Sequence, residues 1–386
     1  MYAFACCLYK NLTNSGQHWL VLGYIMNNIF SSITLGDYQL SNRIFMAPLS
    51  RSRAVEDGVP NAMMAEYYAQ RASAGLIIAE ATAVAKSGLG WMNAPGIYSS
   101  EQQDGWKNIA NAVHEKDGRI FVQLWHMGSI VHPDFLDGEL PVSSSAVQQQ
   151  GSLTTPKGRD REFAVPKALT KSQIGDVVQQ FVDAARRAID AGIDGIEIHG
   201  ANGFLVDQFT RDGINKREDE YGGSIDNRLR FMMEIVDAVC KEIGSGKVGI
   251  RLSPSNNVWG ITDSDPKATF TRAVTLLNGF NLAYLHILEP KPDSEHAVAK
   301  LDYLTPILRE NYRGNLIING GFTKETANES LANNEAEAIV FGSPFIANPD
   351  LVERFHANAE LAQPDRTTFY TSEKEGYTDY PVMVRV

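Results

Sequence analysis

Two polar side chains stand three residues apart where an apolar run ends. His199 and Asn202 follow the run 195–198, so a strand in that place would present an imidazole and a carboxamide at its end. Both groups donate hydrogen bonds, and two preorganised donors on one carbonyl oxygen withdraw electrons from it. The spacing therefore predicts electrophilic catalysis at this strand end. A single histidine in a strand is also commonly an ordinary core residue, so the prediction needs support from other positions.

The rest of the chain shows how such a strand end would be positioned. From residue 43 onward, short runs rich in β-branched residues alternate with longer segments of helical period, which is typical of βα units. Eight such units close a (β/α)8 TIM barrel, whose active site lies at the carboxyl ends of the strands. The predicted strands are 43–48, 76–82, 119–125, 195–199, 247–252, 284–287, 315–319 and 338–341, and helices are predicted at 171–191, 224–243, 267–279, 324–333 and 350–359.

Two further segments belong to this predicted barrel. Residues 33–40 alternate apolar and polar side chains around Gly36 and Asp37, which predicts a β-hairpin that plugs the bottom of the barrel. Residues 128–166, after the third strand, are rich in Gly, Pro, Ser and Gln and lack a helical period, and a connection of that length is usually functional. We expect one barrel domain over residues 28–381, preceded by a disordered or incidental leader (1–27) and followed by a short tail (382–386).

Composition narrows the class of protein. The 386 residues include 44% hydrophobic and 21% charged residues, as in a globular protein, and the net charge of −11 argues against a nucleic-acid partner. Cys6, Cys7 and Cys240 have no metal-ligand spacing and form no disulfide framework, which favours a reducing cytoplasm. The apolar patches near the start are shorter than the ~18 to 20 residues of a membrane span. A cytoplasmic enzyme for a small molecule fits best, in an oligomeric state that the sequence leaves open.

The predicted strand ends carry a varied set of polar groups. Ser50 follows the first strand, Gln123 lies in the third, Arg251 in the fifth and Asn319 in the seventh. FMN would account for such a set, because its ring needs hydrogen-bond donors and a positive group while its tail needs a phosphate anchor. In isolation, Arg251 would equally be an ion-pair partner and Gln123 an ordinary polar residue. The joint occurrence of Gln123, His199 and Arg251 on the third, fourth and fifth strands favours the flavin.

Three stretches make the chain similar to the Old Yellow Enzyme family of FMN-dependent ene reductases. They are Arg43-Ile44-Phe45-Met46-Ala47-Pro48-Leu49, Tyr221-Gly222-Gly223-Ser224 and Ile346-Ala347-Asn348-Pro349-Asp350-Leu351. The resemblance extends over about residues 28–381. It implies bound FMN, NADPH or NADH as hydride donor, and reduction of a small molecule whose C=C bond is activated by a carbonyl or nitro group.

The resemblance also implies a role for each candidate residue. His199 and Asn202 would hold the substrate oxygen, with Trp91, Trp125 and Tyr370 around the substrate. The residues implied in flavin binding are Pro48, Ser50, Ala81, Gln123, Arg251, Asn319, Gly320, Gly321, Gly342 and Ser343. The two tryptophans would equally suit an ordinary aromatic core. The tyrosine-rich tail, with the run 376–381, would equally pack across the barrel wall.

Two positions depart from the pattern of the family. Phe204 stands where a tyrosine usually protonates the substrate, and Ser343 stands where an arginine usually binds the FMN phosphate. These departures keep an alternative open, in which the chain binds flavin as a redox sensor or cofactor reservoir and has lost or weakened turnover. A flavin-free barrel lyase or aldolase is a second alternative, although no lysine for a Schiff base stands at a predicted strand end.

Ser343 generates a prediction about cofactor retention. A hydrogen bond to a charged group contributes roughly 1.5 to 3 kcal/mol, so the lost arginine contact should weaken FMN binding by about ten- to a hundredfold. We expect purified protein to carry less than one flavin per chain, measured from its absorption spectrum before and after long dialysis. A full flavin complement that survives dialysis would contradict this prediction.

Overall fold

Eight parallel strands close a barrel in the computed structural model, which describes residues 28–292 and 302–383. Strands one to eight are Ile44–Met46, Leu76–Ala83, Ile120–Trp125, Gly195–His199, Val248–Leu252, Tyr284–Leu288, Leu316–Asn319 and Ala338–Phe341. Each strand pairs with the next in chain order, and strand eight pairs with strand one. The predicted (β/α)8 barrel is confirmed. The predicted leader, 1–27, lies outside the described residues.

Helices follow every strand of the barrel. They are α1 Ala62–Ala69, α2 Ser100–His114, α3 Lys171–Asp190, α4 Leu205–Thr210, α5 Ile225–Ile243, α6 Pro266–Leu277, α7 Thr305–Asn311, α8 Lys324–Ala332, α9 Ser343–Ala347 and α10 Leu351–Ala357. The long α3 begins with a reciprocal capping box between Thr170 and Gln173, which satisfies two backbone N–H groups at the helix start. No helix in the described part of the chain is long and apolar enough to cross a membrane.

The strands are buried on both faces, as parallel strands usually are. In strand one, Ile44 and Met46 pack into the core beneath the helices, whereas Phe45 packs inside the barrel. The predicted hairpin is present as two antiparallel strands, Ile33–Leu35 and Tyr38–Leu40. Its apolar side chains join the same inside cluster as Leu76, the first residue of strand two. The hairpin therefore lies at the amino ends of the strands, away from the predicted site.

The Tyr-Gly-Gly-Ser stretch has a structural role. A Cβ atom on Gly222 would lie 2.1 Å from the carbonyl oxygen of Arg217, so only glycine fits this close approach. The amide of Asn215 donates to the carbonyl oxygen of Tyr221 at 2.7 Å, and Arg228 of α5 donates to that of Gly223 at 2.8 Å. These bonds fix the connection between strand four and α5.

The long segment after strand three is more ordered than its composition indicates. It contains no α-helix, as predicted, but it forms an antiparallel hairpin of Ser152–Thr155 and Gly158–Glu162. Gln208 of α4 ties the base of the segment, because its amide donates to the Met127 carbonyl at 3.0 Å and accepts from the Ser129 N–H at 3.1 Å. Since α4 begins just after strand four, the segment is held beside His199 and Asn202.

Candidate active site

A cavity of 770 Å³ opens at the carboxyl ends of the strands, within the size range of cofactor pockets. Its walls come from the ends of strands one, five, six, seven and eight and from the chain that follows α10. The predicted cofactor residues that line it are Pro48, Arg251, Asn319, Gly320, Gly321, Gly342 and Ser343. Positions that the sequence separates by almost 300 residues thus share one wall, and we call this space the cavity.

Arg251 is held in place by one neighbour. Its Nη2 donates to Oδ1 of Asn319 at 2.9 Å, and Asn319 is itself fixed by a 2.7 Å bond to the Val340 carbonyl oxygen. The Nε atom of Arg251 is buried without a partner. A buried donor left unpaired costs free energy, so this atom is suited to an acceptor on a ligand.

Backbone donors follow strands seven and eight. The N–H groups of Gly320, Gly321, Gly342 and Ser343 donate to no acceptor within the described residues. A Cβ atom on Gly320 would lie 2.4 Å from the Glu289 carbonyl oxygen, so the turn after strand seven requires glycine. Loops after these two strands bind phosphate in many TIM barrels, and unpaired N–H groups provide the attraction.

His199 is buried and neutral at the end of strand four. Burial lowers its pKa well below the ordinary value, and the neighbouring Arg251 and, to a smaller extent, His286 add to this effect. Its Nδ1 atom is buried without a hydrogen-bond partner. A neutral imidazole carries one N–H donor and one acceptor, so His199 can donate a single hydrogen bond to a substrate oxygen.

Asn202 follows His199 in a left-handed turn. Its φ angle is 59°, a conformation that asparagine tolerates better than most residues. The backbone N–H donates to Oγ of Ser253 at 2.9 Å, and the side-chain Oδ1 accepts from Nδ2 of Asn256 at 2.7 Å. With its oxygen engaged in this way, the Asn202 carboxamide keeps its NH₂ group for another acceptor. Ser253 and Asn256 position Asn202, and the sequence analysis assigned no role to either residue.

Three rings form an aromatic surface beside the cavity, namely Trp125, His199 and Phe204. The ring centroid of Phe204 lies 4.8 Å from that of Trp125 and 4.9 Å from that of His199, and both pairs meet edge to face. His199 is in register with Arg251 on the adjacent strand, so the aromatic surface and the cavity meet at this strand pair. Nε1 of Trp125 is also buried without a partner.

Trp91 and Tyr370 form the rim of this region. Their rings meet edge to face at 5.5 Å, and Tyr370 is 59% exposed. Trp91 packs against the cluster that contains Trp125 and Phe204. The tail itself is anchored elsewhere, because Tyr377 is buried and stacks on Tyr67 of α1 at 4.0 Å. Tyr377 thus packs across the barrel wall, as one interpretation of the tail predicts, and a substrate role for Tyr370 stays a prediction.

Three of the predicted flavin residues lie outside the cavity wall, namely Ser50, Ala81 and Gln123. The amide of Gln123 donates to Oε1 of Glu197 at 2.7 Å, and Oε2 of Glu197 pairs with Nδ1 of His286 at 2.8 Å. The side chains of Gln123, Glu197 and His286 are all buried inside the barrel. The sequence analysis missed Glu197, whose signal was a carboxylate in an otherwise apolar strand. In the described part of the chain, no cluster of His, Cys, Asp and Glu side chains could hold a metal ion.

Comparison with known proteins places this geometry in a family. Residues 28–362 match the NADH:flavin oxidoreductase / NADH oxidase family. The 12-oxophytodienoate reductase 7 of Oryza sativa subsp. japonica is 41% identical over 373 residues, which cover 92% of this chain and 94% of that protein. The 12-oxophytodienoate reductase 2 of Arabidopsis thaliana is 40% identical over 350 residues, which cover 90% of this chain and 93% of that protein.

Solved structures agree with these sequence matches. An Old Yellow Enzyme homologue from Zymomonas mobilis superposes with a TM-score of 0.90 at 43% identity, covering 92% of this chain and all of the other. Morphinone reductase in complex with tetrahydroNAD superposes with a TM-score of 0.87 at 42% identity, covering 92% of this chain and 98% of the other. In both comparisons the likeness covers 92% of this chain.

The environment of His199 leads to a titration prediction. Because burial and nearby positive charge lower its pKa, the imidazole should remain neutral in the folded protein at about pH 6, where a solvated histidine is largely protonated. The measurement is ¹⁵N NMR of histidine-labelled protein, with the signal assigned by its loss in His199→Gln. In denaturant the same residue should titrate near ~6.5. Protonation of folded His199 in the ordinary range would contradict the prediction.

Proposed function

The chain belongs to the Old Yellow Enzyme family, and from that premise we propose how its own residues carry out the reaction. The protein is an FMN-dependent oxidoreductase that uses NAD(P)H to reduce C=C bonds activated by a carbonyl or nitro group. The observation that carries the proposal is the placement of neutral His199 and of Asn202 beside the Arg251 end of the cavity.

FMN fits the residues that line the cavity. The unpaired Nε of Arg251 suits the electron-rich end of an isoalloxazine ring, and the free N–H groups after strands seven and eight suit a phosphate. Pro48 supplies part of an apolar wall. When bound, FMN provides the centre that takes a hydride from nicotinamide and passes it to the substrate. We propose that Ser50, Ala81 and Gln123, which do not line the cavity, also contact the ring, as the family resemblance implies.

His199 and Asn202 would bind the oxygen that activates the double bond. Each keeps a donor group unpaired, and two such donors stabilise the negative charge that develops on the oxygen as hydride reaches the β-carbon. Their interaction is stronger with that charge than with the neutral substrate, which lowers the barrier. The aromatic surface with Trp91 and Tyr370 would pack against the flat body of the substrate.

The partners and the cellular location of the enzyme are also part of what we propose. We propose a small-molecule substrate and no nucleic-acid partner, which the net charge of −11 supports. We place the protein in the reducing cytoplasm, which the use of only three cysteines supports. Either NADPH or NADH would serve as donor. A single domain over 28–381 accords with one continuous barrel and a family match over 28–362.

An anaerobic absorption experiment tests the function. NADPH should bleach the yellow band of the protein as purified, and cyclohexenone added under nitrogen should restore it. Bleaching without recovery would favour the alternative of a flavin-binding protein without ene-reductase turnover. A colourless protein that binds no added FMN would overturn the proposal and favour flavin-free chemistry.

Phe204 generates a prediction about turnover. Its phenyl ring lies against both Trp125 and His199 and has no proton to donate, so protonation of the α-carbon depends on water or another donor. Phe204→Tyr should raise turnover of a cyclic enone on the order of 100-fold if protonation limits the rate, since a positioned general acid typically contributes that much. Steady-state kinetics and the rate of flavin reduction by NADPH would be measured together.

Phe204→Leu is the matched control, because it changes the packing without adding a hydroxyl group. Only the tyrosine variant should gain turnover, and flavin reduction by NADPH should stay the same in both. Unchanged enone turnover in Phe204→Tyr would show that proton donation at this position does not limit the reaction.

A further inference from the structure

We propose that Lys324 supplies the positive charge for the FMN phosphate in place of the arginine that Ser343 replaces. This inference rests on the proposed function, since it concerns the cofactor of the same site. Lys324 stands on a different strand connection from Ser343, and no feature of the sequence singled it out.

Lys324 and Ser343 line the same cavity from two neighbouring strand ends. Lys324 is the first residue of α8 and follows the Gly320-Gly321 turn after strand seven. Ser343 follows Gly342 after strand eight. Strands seven and eight pair directly, so the lysine lies on the side of the cavity that also holds the free backbone N–H groups.

The charge of Lys324 is not neutralised by a partner. Its Nζ donates to the carbonyl oxygen of Phe355 and to Oδ1 of Asn358, which are both neutral acceptors. It forms no ion pair within the described residues. The neighbouring Glu325 is engaged by its own backbone N–H and by the Thr323 hydroxyl, and these bonds lower its pKa more than Lys324 does.

The other two cations of the cavity wall are less suited to this phosphate. Arg354 pairs with Asp350 at 2.7 Å and donates to the carbonyl oxygens of Glu360 and Pro381. Arg251 is bound to Asn319 and lies beside His199, at the meeting point with the aromatic surface. Lys324, half-buried at the cavity wall, is the cation in the described chain best placed for a phosphate after strands seven and eight.

The chemistry of lysine sets the size of the effect. An ammonium group attracts phosphate as a point charge but lacks the bidentate geometry of a guanidinium. Lys324 therefore recovers part of the phosphate affinity that Ser343 alone would lose. Its two contacts to Phe355 and Asn358 also give it a structural role at the end of α10, so a test must separate binding of the phosphate from stability of the fold.

A comparison of FMN with riboflavin, which lacks the phosphate, separates binding of the phosphate from stability of the fold. Affinities of the flavin-stripped protein for FMN and riboflavin would be measured by quenching of flavin fluorescence, which requires no turnover. In wild type, FMN should bind more tightly than riboflavin. Lys324→Met should lower the FMN-to-riboflavin affinity ratio about tenfold, the loss of one charge-assisted contact. Lys324→Arg should preserve the ratio, and so should Lys107→Met, which removes an exposed lysine from α2.

A second variant tests whether the two positions serve the same phosphate. Adding Ser343→Arg to Lys324→Met should restore the affinity ratio to the wild-type value or above. An unchanged affinity ratio in Lys324→Met, whether both affinities fall equally or neither falls, would overturn the inference. Lys324 would then have only a structural role. Failure of wild type to bind either flavin would instead overturn the proposed function, so the two failures are distinguishable.

Discussion

The site depends on the balance of charge inside the barrel. Glu197 is fully buried in strand four and accepts hydrogen bonds from Gln123 and His286 on the two sides. Its negative charge also acts on the guanidinium of Arg251, where it opposes the effect of burial on the pKa. A buried cation without such compensation would be costly. The carboxylate therefore allows Arg251 to stay charged beside His199, and the same arrangement keeps His199 neutral.

Much of the architecture could be predicted because each strand is encoded by its own short stretch of sequence. The β-branched runs identified all eight strands, and strands four and eight have their predicted bounds. The hairpin of Ser152–Thr155 and Gly158–Glu162 was missed because most of its residues are polar and exposed, so it shows no buried face in the sequence. Alternation of apolar and polar residues marks a strand with one buried face, and this hairpin buries few of its side chains.

The site was predictable only in part, for a different physical reason. The resemblance located His199, Asn202 and the glycine turns, and the structure brings most of the predicted flavin residues to one cavity. Lys324 could not be found in this way, since a lysine at the start of a helix usually faces water. Its importance depends on Ser343, which lies on another connection, and only the closed barrel makes them neighbours. Likewise, Glu197 has meaning only together with Gln123 on strand three and His286 on strand six.

Two of the three stretches that resemble the family have a structural role. Asn348, within the stretch after strand eight, is buried and exchanges hydrogen bonds with both the N–H and the carbonyl of Ala362. Ala362 belongs to the cavity wall. The stretch thus shapes the cavity wall through its hydrogen bonds to Ala362.

The position of that wall has a consequence for biosynthesis. The cavity joins Pro48, near the beginning of the barrel, to residues 359–364, far along the chain. During translation the early strands leave the ribosome long before residues 359–364 are synthesised. The growing chain therefore has no complete flavin site. Capture of the cofactor must then be among the final events of maturation, after the barrel has closed.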